Sequence, residues 1–582
     1  MAIVLGQYVL ALDGSALPAR EQIGGKAWSL ARMLSLGLRV PPAVVVTTDA
    51  CRVYLDSGSV PAALAAELDA GIAWLERASG RTFGGADQPL LVSVRSGAAI
   101  SMPGMMDTVL NLGINDATEA ALAREAANPE FAHDTHRRFL ELYAGIVLKA
   151  TVADSGAHDA AALRADLAAQ GLAVPQAPRA QLLAAVNAVF DSWNSRRARR
   201  YRQHHGIADS LGTAVTIQAM VFGNLDERSG TGVLFSRNPL TGDPAPYGEY
   251  LHRAQGEDVV SGKFTPEPLS ALAASAPAVH AELLRAAVAL EYENRDVQDI
   301  EFTVQHGELY LLQTRAAKRA PQAAVRFAVD LVTAGRIEPA TALLRVQAEQ
   351  IRTLLKPRLA DGATDGATVL AQGEPACQGV GAGVVVTDSD DAERRAAVGE
   401  RVVLARATTS PEDVHGMIAA SAVITEQGGA TSHAAVVSRA LGVPCIVGCG
   451  AGALAALAAM TVTVDANSGR IYPGALPVVT PDESADPRLA QLTAWAASAS
   501  PIAVVREAAD AFDLGAVDGG EDPDQLPALL AGRRVVRGGA IETDAGVAAA
   551  LAAGVTTIVA RHALPVLLAA IQAQAAAATT AR

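Results

Sequence analysis

The chain has 582 residues and a mass of 59.7 kDa, enough for roughly four domains of ~150 residues, which excludes a peptide, a disulfide miniature or a single small module. Half of its residues are hydrophobic but only 4% are aromatic, so its cores must be aliphatic; a formal net charge of −14 leaves no basic excess to neutralise nucleic-acid phosphates. Four cysteines, Cys51, Cys377, Cys445 and Cys449, are too few for a disulfide framework and suit a reducing compartment. The first seven residues lack the basic start and apolar run of a signal peptide, and the most apolar windows, 451–464 and 547–560, are shorter than the roughly 20 residues that span a bilayer. The expectation is a soluble cytoplasmic protein that binds neither membrane nor nucleic acid.

In chain order, 40–47 and 90–94 read as buried strands. Residues 61–78 read as a helix with Leu64, Leu68, Ile72 and Leu75 on one face. A helical block follows at 117–210. Strand character returns at 213–222 and 230–236, and 299–304 with 308–313 read as a hairpin about Gln305-His306-Gly307. Residues 321–360 read as helical and end in the polar hinge 361–366. A compact α/β pattern then runs to about residue 474. Beyond an acidic boundary at 480–487, strands at 502–505, 535–537 and 557–560 alternate with a helix at 544–553, capped by Thr543 or Asp544 and stopped by Gly554. The expected fold class is multidomain, mixing α/β and α+β: a nucleotide-binding body over 1–335, a helical linker and hinge over 336–367, an α/β domain over 368–478, and a C-terminal β/α segment over 479–582.

The sharpest local signal is Gln427-Gly428-Gly429-Ala430-Thr431-Ser432-His433, a glycine pair after a strand and a histidine opening an apolar helix. Glycines allow close backbone approach, and a helix N-terminus offers free N–H groups to an anion, so His433 is placed to act as a nucleophile whose phosphorylated form is held by backbone donors. Taken alone, the same pattern reads better as a capping histidine. Gly24-Gly25-Lys26 alone reads better as a turn with a surface lysine. On the hairpin, Asp299 and Glu301 share a face, as do Gln313 and Arg315, which suits either a Mg²⁺–triphosphate site or a solvated salt-bridge pair. Cys445 and Cys449 are four apart, but no further ligands complete a zinc site around them, so small buried cysteines are expected; Asp465 is expected to begin a turn.

Residues 404–450, with Thr-Thr-Ser-Pro-Glu-Asp, the Gly-Gly-Ala-Thr-Ser-His segment and Gly-Val-Pro-Cys-Ile-Val-Gly, resemble the swivelling phosphohistidine domain of the pyruvate phosphate dikinase family. The first half resembles that family's ATP-grasp domain at Val92–Gly97, Ser101–Asn111, Ser229–Val233, Gln255–Val260 and the 298–315 hairpin. The resemblance implies His433 as the phosphorylated residue, and Lys26, Arg95, Ser101, Met102, Glu257 and Arg315 around ATP and its phosphates. It also implies Glu301 and Gln313 as Mg²⁺ ligands, and Thr431 at the position that a regulatory kinase modifies in some members. Arg537 and Arg561 fall where the family has substrate-binding arginines, although the Arg-Thr-Glu of the family is Arg561-His562-Ala563 here.

The implied reaction is ATP- and Mg²⁺-dependent phosphorylation of His433 with release of AMP, orthophosphate taking the γ-phosphoryl group to give pyrophosphate. The phosphoryl group then passes to pyruvate or another acceptor. Most of the family's C-terminal pyruvate barrel is not recognisable, so the expectation is a homo-oligomer served by a barrel-bearing partner. The alternatives are a self-contained phosphotransferase similar to rifampin phosphotransferase or phenylphosphate synthase, and a non-catalytic nucleotide-binding regulator.

Overall fold

The computed structural model describes residues 3–100, 102, 105–150, 160–260, 264–355, 358–360, 362–479, 481–520 and 522–580. It is a mixed α/β molecule with several sheets, and two of them form the first body. One is a six-stranded antiparallel sheet in the order Ile3–Val4, Val9–Leu12, Ala43–Val46, Ala214–Ala219, Val92–Gly97, Thr108–Leu112. The second is five-stranded and antiparallel, in the order Glu267–Pro268, Tyr247–His252, Gly230–Phe235, Gln298–Gln305, Glu308–Ala316. Helix Arg20–Ser35 fastens them together, because Ile23, Leu30 and Met33 share one core with Leu10 and Val45 of the first sheet and Leu234, Ile300, Phe302 and Leu311 of the second. Helix Leu64–Ser79 buries Leu64, Leu68, Ile72 and Leu75 beneath the first sheet, a stripe at helical spacing. Among the described residues, the helical block comprises five helices from Asp116 to His204, three of them capped by Asn115, Asn128 and Ser195.

The second body is built on an eight-stranded sheet whose parallel centre runs Val380–Val386, Val402–Arg406, Ala422–Thr425, Cys445–Val447. The chains that lead into and out of it pair as a two-stranded antiparallel ribbon, Arg358–Leu359 against Val478–Val479. This body is therefore an insertion carried on a narrow two-chain stalk.

The third body differs from the expected linker and barrel opening. Helices Pro321–Thr333, Pro339–Arg345 and Ala348–Leu355 bury Leu331, Leu343, Ile351 and Leu355 in one core with Leu492, Val536, Ile558 and Leu567 from the C-terminal segment. Their apolar faces could not stay solvated, so 321–355 packs with 487–580, with Ala323 and Phe327 of the first of these helices also buried against Val233 and Phe235 of the five-stranded sheet, and only the stalk is left as a connection. The C-terminal sheet is parallel, in the order Ala503–Val505, Thr557–Val559, Val535–Arg537, Phe512–Asp513. An earlier strand, Ala503–Val505, occupies the edge beside Thr557–Val559 where a barrel would add its next strand in sequence. Leu492 is fully buried in this core. Leu492→Ala is expected to lower the stability of the third body by about 2–5 kcal/mol in urea unfolding.

Among the described residues, no helix is long and apolar enough to cross a membrane.

Candidate active site

One face of the five-stranded sheet organises the site. Its register aligns Arg315, Asp299, Phe235 and Tyr247 in one cross-strand row, and Gln313, Glu301, Val233 and Glu249 in the next. The hairpin end of these rows lines a cavity of about 670 Å³, to which the first sheet adds Arg95 and the helix between the sheets adds Lys26. The other end of the rows supports the second body.

Lys26 reaches the cavity because its helix breaks at Gly24, which has φ +73°; a Cβ there would lie 1.7 Å from the Gly97 carbonyl oxygen, so only glycine fits. Burial, with the charges of Arg95 and Arg315 adding to it, pulls the Lys26 ammonium down to about 7. Arg95 donates weakly to Glu301 Oε2 at 3.4 Å and to Gln313 Oε1 at 3.3 Å. Arg315 Nε donates to Asp299 Oδ2 at 2.8 Å, and that carboxylate holds the guanidinium firmly charged. Asp299 Oδ1 is buried with no partner. The loose contacts of Glu301 and Gln313, with this orphaned oxygen beside them, form an all-oxygen donor set that fits a hard divalent cation such as Mg²⁺.

His433 lines the same cavity. It opens helix His433–Leu441, capped by Ser432, whose side chain accepts from the Ala435 N–H. Its Nδ1 lies 3.1 Å from Thr409 Oγ1, and its Nε2 is buried without any partner. In the tautomer whose Nδ1–H donates to the threonine, the lone pair sits on Nε2. Burial holds His433 below its ordinary value, so the imidazole stays neutral and nucleophilic.

The glycine pair before His433 is pressed onto the sheet. A Cβ on Gly429 would lie 2.6 Å from Glu249 Oε1, and the buried Thr431 hydroxyl donates to Glu249 Oε2. Burial pushes the Glu249 carboxyl up. Alongside, Tyr247 donates to Glu374 Oε1 at 2.8 Å, and Arg439 stands 5.9 Å from the Phe235 ring centre.

The structure thus brings Lys26, Arg95, Met102, Glu301, Gln313, Arg315, Thr431 and His433 around one cavity. Met102 is buried against Met105 and Trp193. Ser101 lies outside the described residues, as does the side chain of Glu257, whose backbone is in helix Gly256–Val260. Arg537 and Arg561 are not brought to the cavity: both are on the third body, Arg537 paired with Asp513 at 2.9 Å and Arg561 exposed. Cys445 and Cys449 are thiols, pushed by burial to about 11 and about 12. Asp465 ends its strand and accepts from Asn467 and Ser468 in the turn.

Thr409 lies within the Thr-Thr-Ser-Pro-Glu-Asp segment, but its contact with His433 is not readable there, and Glu249 has no signature in the sequence. Thr409 meets His433 only because neighbouring parallel strands deliver both loops to one edge, and Glu249 is one acidic residue in a strand.

The profile of the pyruvate phosphate dikinase AMP/ATP-binding domain matches residues 20–79 and 60–280, and that of the PEP-utilising enzyme mobile domain matches residues 398–469. The chain is 40% identical over 530 residues to pyruvate, phosphate dikinase of Clostridium symbiosum, covering 84% of this chain and 60% of that protein. It belongs to the pyruvate, phosphate dikinase family. The dikinase of Rhizobium meliloti (strain 1021) is 40% identical over 533 residues, covering 83% of this chain and 59% of its own, and the chloroplastic dikinase 1 of Zea mays is 45% identical over 455 residues, covering 74% and 48%. The chain spans about three-fifths or less of the length of these dikinases. Lys26 and Arg95 fall within the AMP/ATP-binding match, and Thr409, Thr431 and His433 within the mobile-domain match; Glu301, Gln313 and Arg315 lie beyond the first.

Two outcomes follow for this dikinase-family site. Thr409→Val removes the hydroxyl hydrogen-bonded to His433 Nδ1 and, on a phosphohistidine reading of His433, is expected to slow its labelling by roughly 5–30-fold, read as the single-turnover rate with ATP affinity unchanged. Lys26, depressed to about 7 without nucleotide, is expected to regain its proton against polyphosphate. Its affinity for H⁺ is then higher in the complex, so ATP binding takes up protons above about pH 7 and ceases to do so as the pH falls below it. Calorimetry at about pH 8 in buffers of different ionisation enthalpy measures this, and zero uptake would contradict it.

Proposed function

We propose that this chain catalyses ATP-dependent phosphorylation of its own His433 as the first half of a dikinase reaction. The first body acts as an ATP-grasp nucleotide site and the second as a phosphohistidine domain that swivels on its stalk. The observation that carries this reading is the buried, unpartnered Nε2 of His433 facing a cavity lined by Lys26, Arg95 and Arg315.

Lys26, Arg95 and Arg315 hold the polyphosphate, and Met102 with the histidine helix limits water access. Nε2 attacks the β-phosphorus; the new N–P bond forms as the bond to the α,β-bridging oxygen breaks, and that oxygen leaves with AMP. Nδ1 keeps its proton throughout, held by Thr409, so the charge that develops on the ring is stabilised where it forms. Glu301, Gln313 and the free Asp299 oxygen would hold Mg²⁺, which when bound supplies charge neutralisation to the phosphates. Orthophosphate takes the γ-phosphoryl group, giving pyrophosphate, and phosphohistidine then serves pyruvate or another small acceptor.

The test is to incubate the full chain with β-labelled ATP, Mg²⁺ and orthophosphate. Acid-labile label on the protein, with AMP and pyrophosphate released in step, is expected; an unlabelled protein overturns the proposal. Discharge of that label by pyruvate, with and without a barrel-bearing dikinase supplied in trans, identifies the acceptor.

A further inference from the structure

Asp413 is a buried carboxylate that takes no part in the transfer as proposed so far. It is 5% exposed and ends the short turn Pro411–Asp413 of the second body. Its Oδ2 accepts from the Ser410 N–H at 2.8 Å and from the Ser410 hydroxyl at 3.2 Å, and its Oδ1 accepts from the Ser389 hydroxyl at 2.7 Å. Among the described residues one cation is paired with it, Arg406, whose Nε stands 3.2 Å from Oδ1 on a side chain that is 35% exposed. The anion is the better buried of the two, so water screens the cation more than the carboxylate.

These bonds fasten one end of a connection that reaches the nucleophile. Ser410, held at both its N–H and its hydroxyl, follows directly on Thr409, whose Oγ1 lies 3.1 Å from His433 Nδ1. Strands Val402–Arg406 and Ala422–Thr425 are parallel neighbours, and the Thr409 loop follows the first while the His433 loop follows the second. Burial pulls the His433 imidazole down, and Asp413 is the charge that acts against it. Lys26, Arg95 and Arg315, which line the cavity, belong to the first body. Ser389, Arg406, Thr409, Asp413 and His433 all belong to the second.

We propose that Asp413 is a positioning residue for phosphoryl transfer: it locks the loop that offers Thr409 to His433 Nδ1, and it supplies a negative charge that stays with the ring when the second body leaves its seat. Its role rests on His433 being the phosphorylated residue. Once the Nε2 lone pair bonds phosphorus while Nδ1 keeps its proton, the ring is cationic. In the cleft that ring stands near cations that suit the phosphoryl oxygens but oppose the ring itself. Outside the cleft those cations are left behind, and a buried carboxylate on the same body is the counter-charge that travels. A capping role alone would need only the shape of the aspartate, whereas the ring needs its charge.

The experiment titrates the His433 imidazole by ¹⁵N NMR in the full chain labelled at histidine, its signals identified by their loss in His433→Gln. Asp413→Asn keeps an acceptor for the Ser410 N–H but removes the charge. Its His433 midpoint is expected to lie below that of wild type by about 0.5–1 pH unit, a 3–10-fold loss of proton affinity. At equilibrium with ATP, orthophosphate, AMP and pyrophosphate, the ratio of phosphorylated to free protein should fall by about 3–10-fold as well. Ser389→Ala loosens the loop but leaves the carboxylate, so its midpoint should stay within about 0.2 pH unit of wild type. Arg406→Gln strips the counter-cation from Asp413 at a partly exposed side chain and should raise the midpoint, which keeps the prediction testable if Asp413→Asn does not fold. An unchanged midpoint in Asp413→Asn or in Arg406→Gln, or an equal fall in Ser389→Ala, overturns the proposal. The titration needs no nucleotide. A midpoint that falls in a chain that never acquires label refutes the phosphohistidine reading and leaves the coupling of Asp413 to His433; a labelled wild type with no change of midpoint refutes the coupling alone.

Discussion

Replacing His433 with glutamine is expected to abolish phosphoryl transfer from ATP to the protein while ATP binds within about twofold of normal. Glutamine keeps the side chain's bulk, and the Ser432 cap that starts the helix does not involve the imidazole. Lys26, Arg95, Glu301, Gln313 and Arg315 come from the first body and are untouched, so the phosphate cradle persists. Only the nucleophile is lost, and covalent catalysis has no substitute when its nucleophile is removed. Among the described histidines, His433 alone lines the cavity. A variant that acquired label at more than about 1% of the wild-type rate would overturn the assignment.

Much of this site was legible in one dimension because its chemistry is concentrated in short segments. Alternation in the 298–315 hairpin places Asp299 with Glu301 and Gln313 with Arg315, and the register puts these pairs opposite one another, with a bulge only after Glu301. The glycines before His433 carry a conformational message of their own, with Gly428 at φ +105° and Gly429 too close to Glu249 for any side chain. Long-range partners were not legible. Thr409 and His433 are joined by strand order, Glu249 and Thr431 by the contact between two bodies, and neither pairing leaves a local trace. The packing of the helices at 321–355 is illegible for a related reason. The polar stretch 361–366 is a visible boundary, whereas the destination of an apolar helix face, here the core with Leu492 and Ile558, is fixed only by what else needs covering.

The two rows on the five-stranded sheet give the site its logic. Arg315 and Asp299 run through Phe235 to Tyr247, which bonds Glu374; Gln313 and Glu301 run through Val233 to Glu249, which bonds Thr431. The surface that would hold the polyphosphate is continuous with the surface on which the histidine body rests. The proposed swivelling would let that body leave on its narrow stalk, and the rows would then fix where His433 returns. Placement of the nucleophile over the cavity is therefore only as good as the seat under Gly429, Ala430 and Thr431.

That dependence makes Thr431→Asp the second large effect. The substitution exchanges a hydroxyl that donates to Glu249 for a carboxylate facing it in a buried contact, with Glu374 adding a further like charge. Like charges across an interface cost several kcal/mol, so the seated population should fall by about 100-fold or more, and the rate of His433 labelling with it. ATP affinity should stay within about twofold, because Lys26, Arg95 and Arg315 belong to the other body. Thr431→Val, which loses the hydrogen bond without adding charge, should be slowed only about 3–10-fold. The pH dependence has a definite sign. Burial raises the Glu249 carboxyl in the seated state, so seating takes up a proton; it is favoured as the pH falls through that raised value and disfavoured above it. The deficit of Thr431→Asp relative to wild type should therefore narrow as the pH is lowered, while burial holds His433 below its ordinary value and favours the neutral imidazole. Single-turnover labelling across a pH series measures this. Equal labelling rates for Thr431→Asp and Thr431→Val would show that Glu249 does not carry the seat.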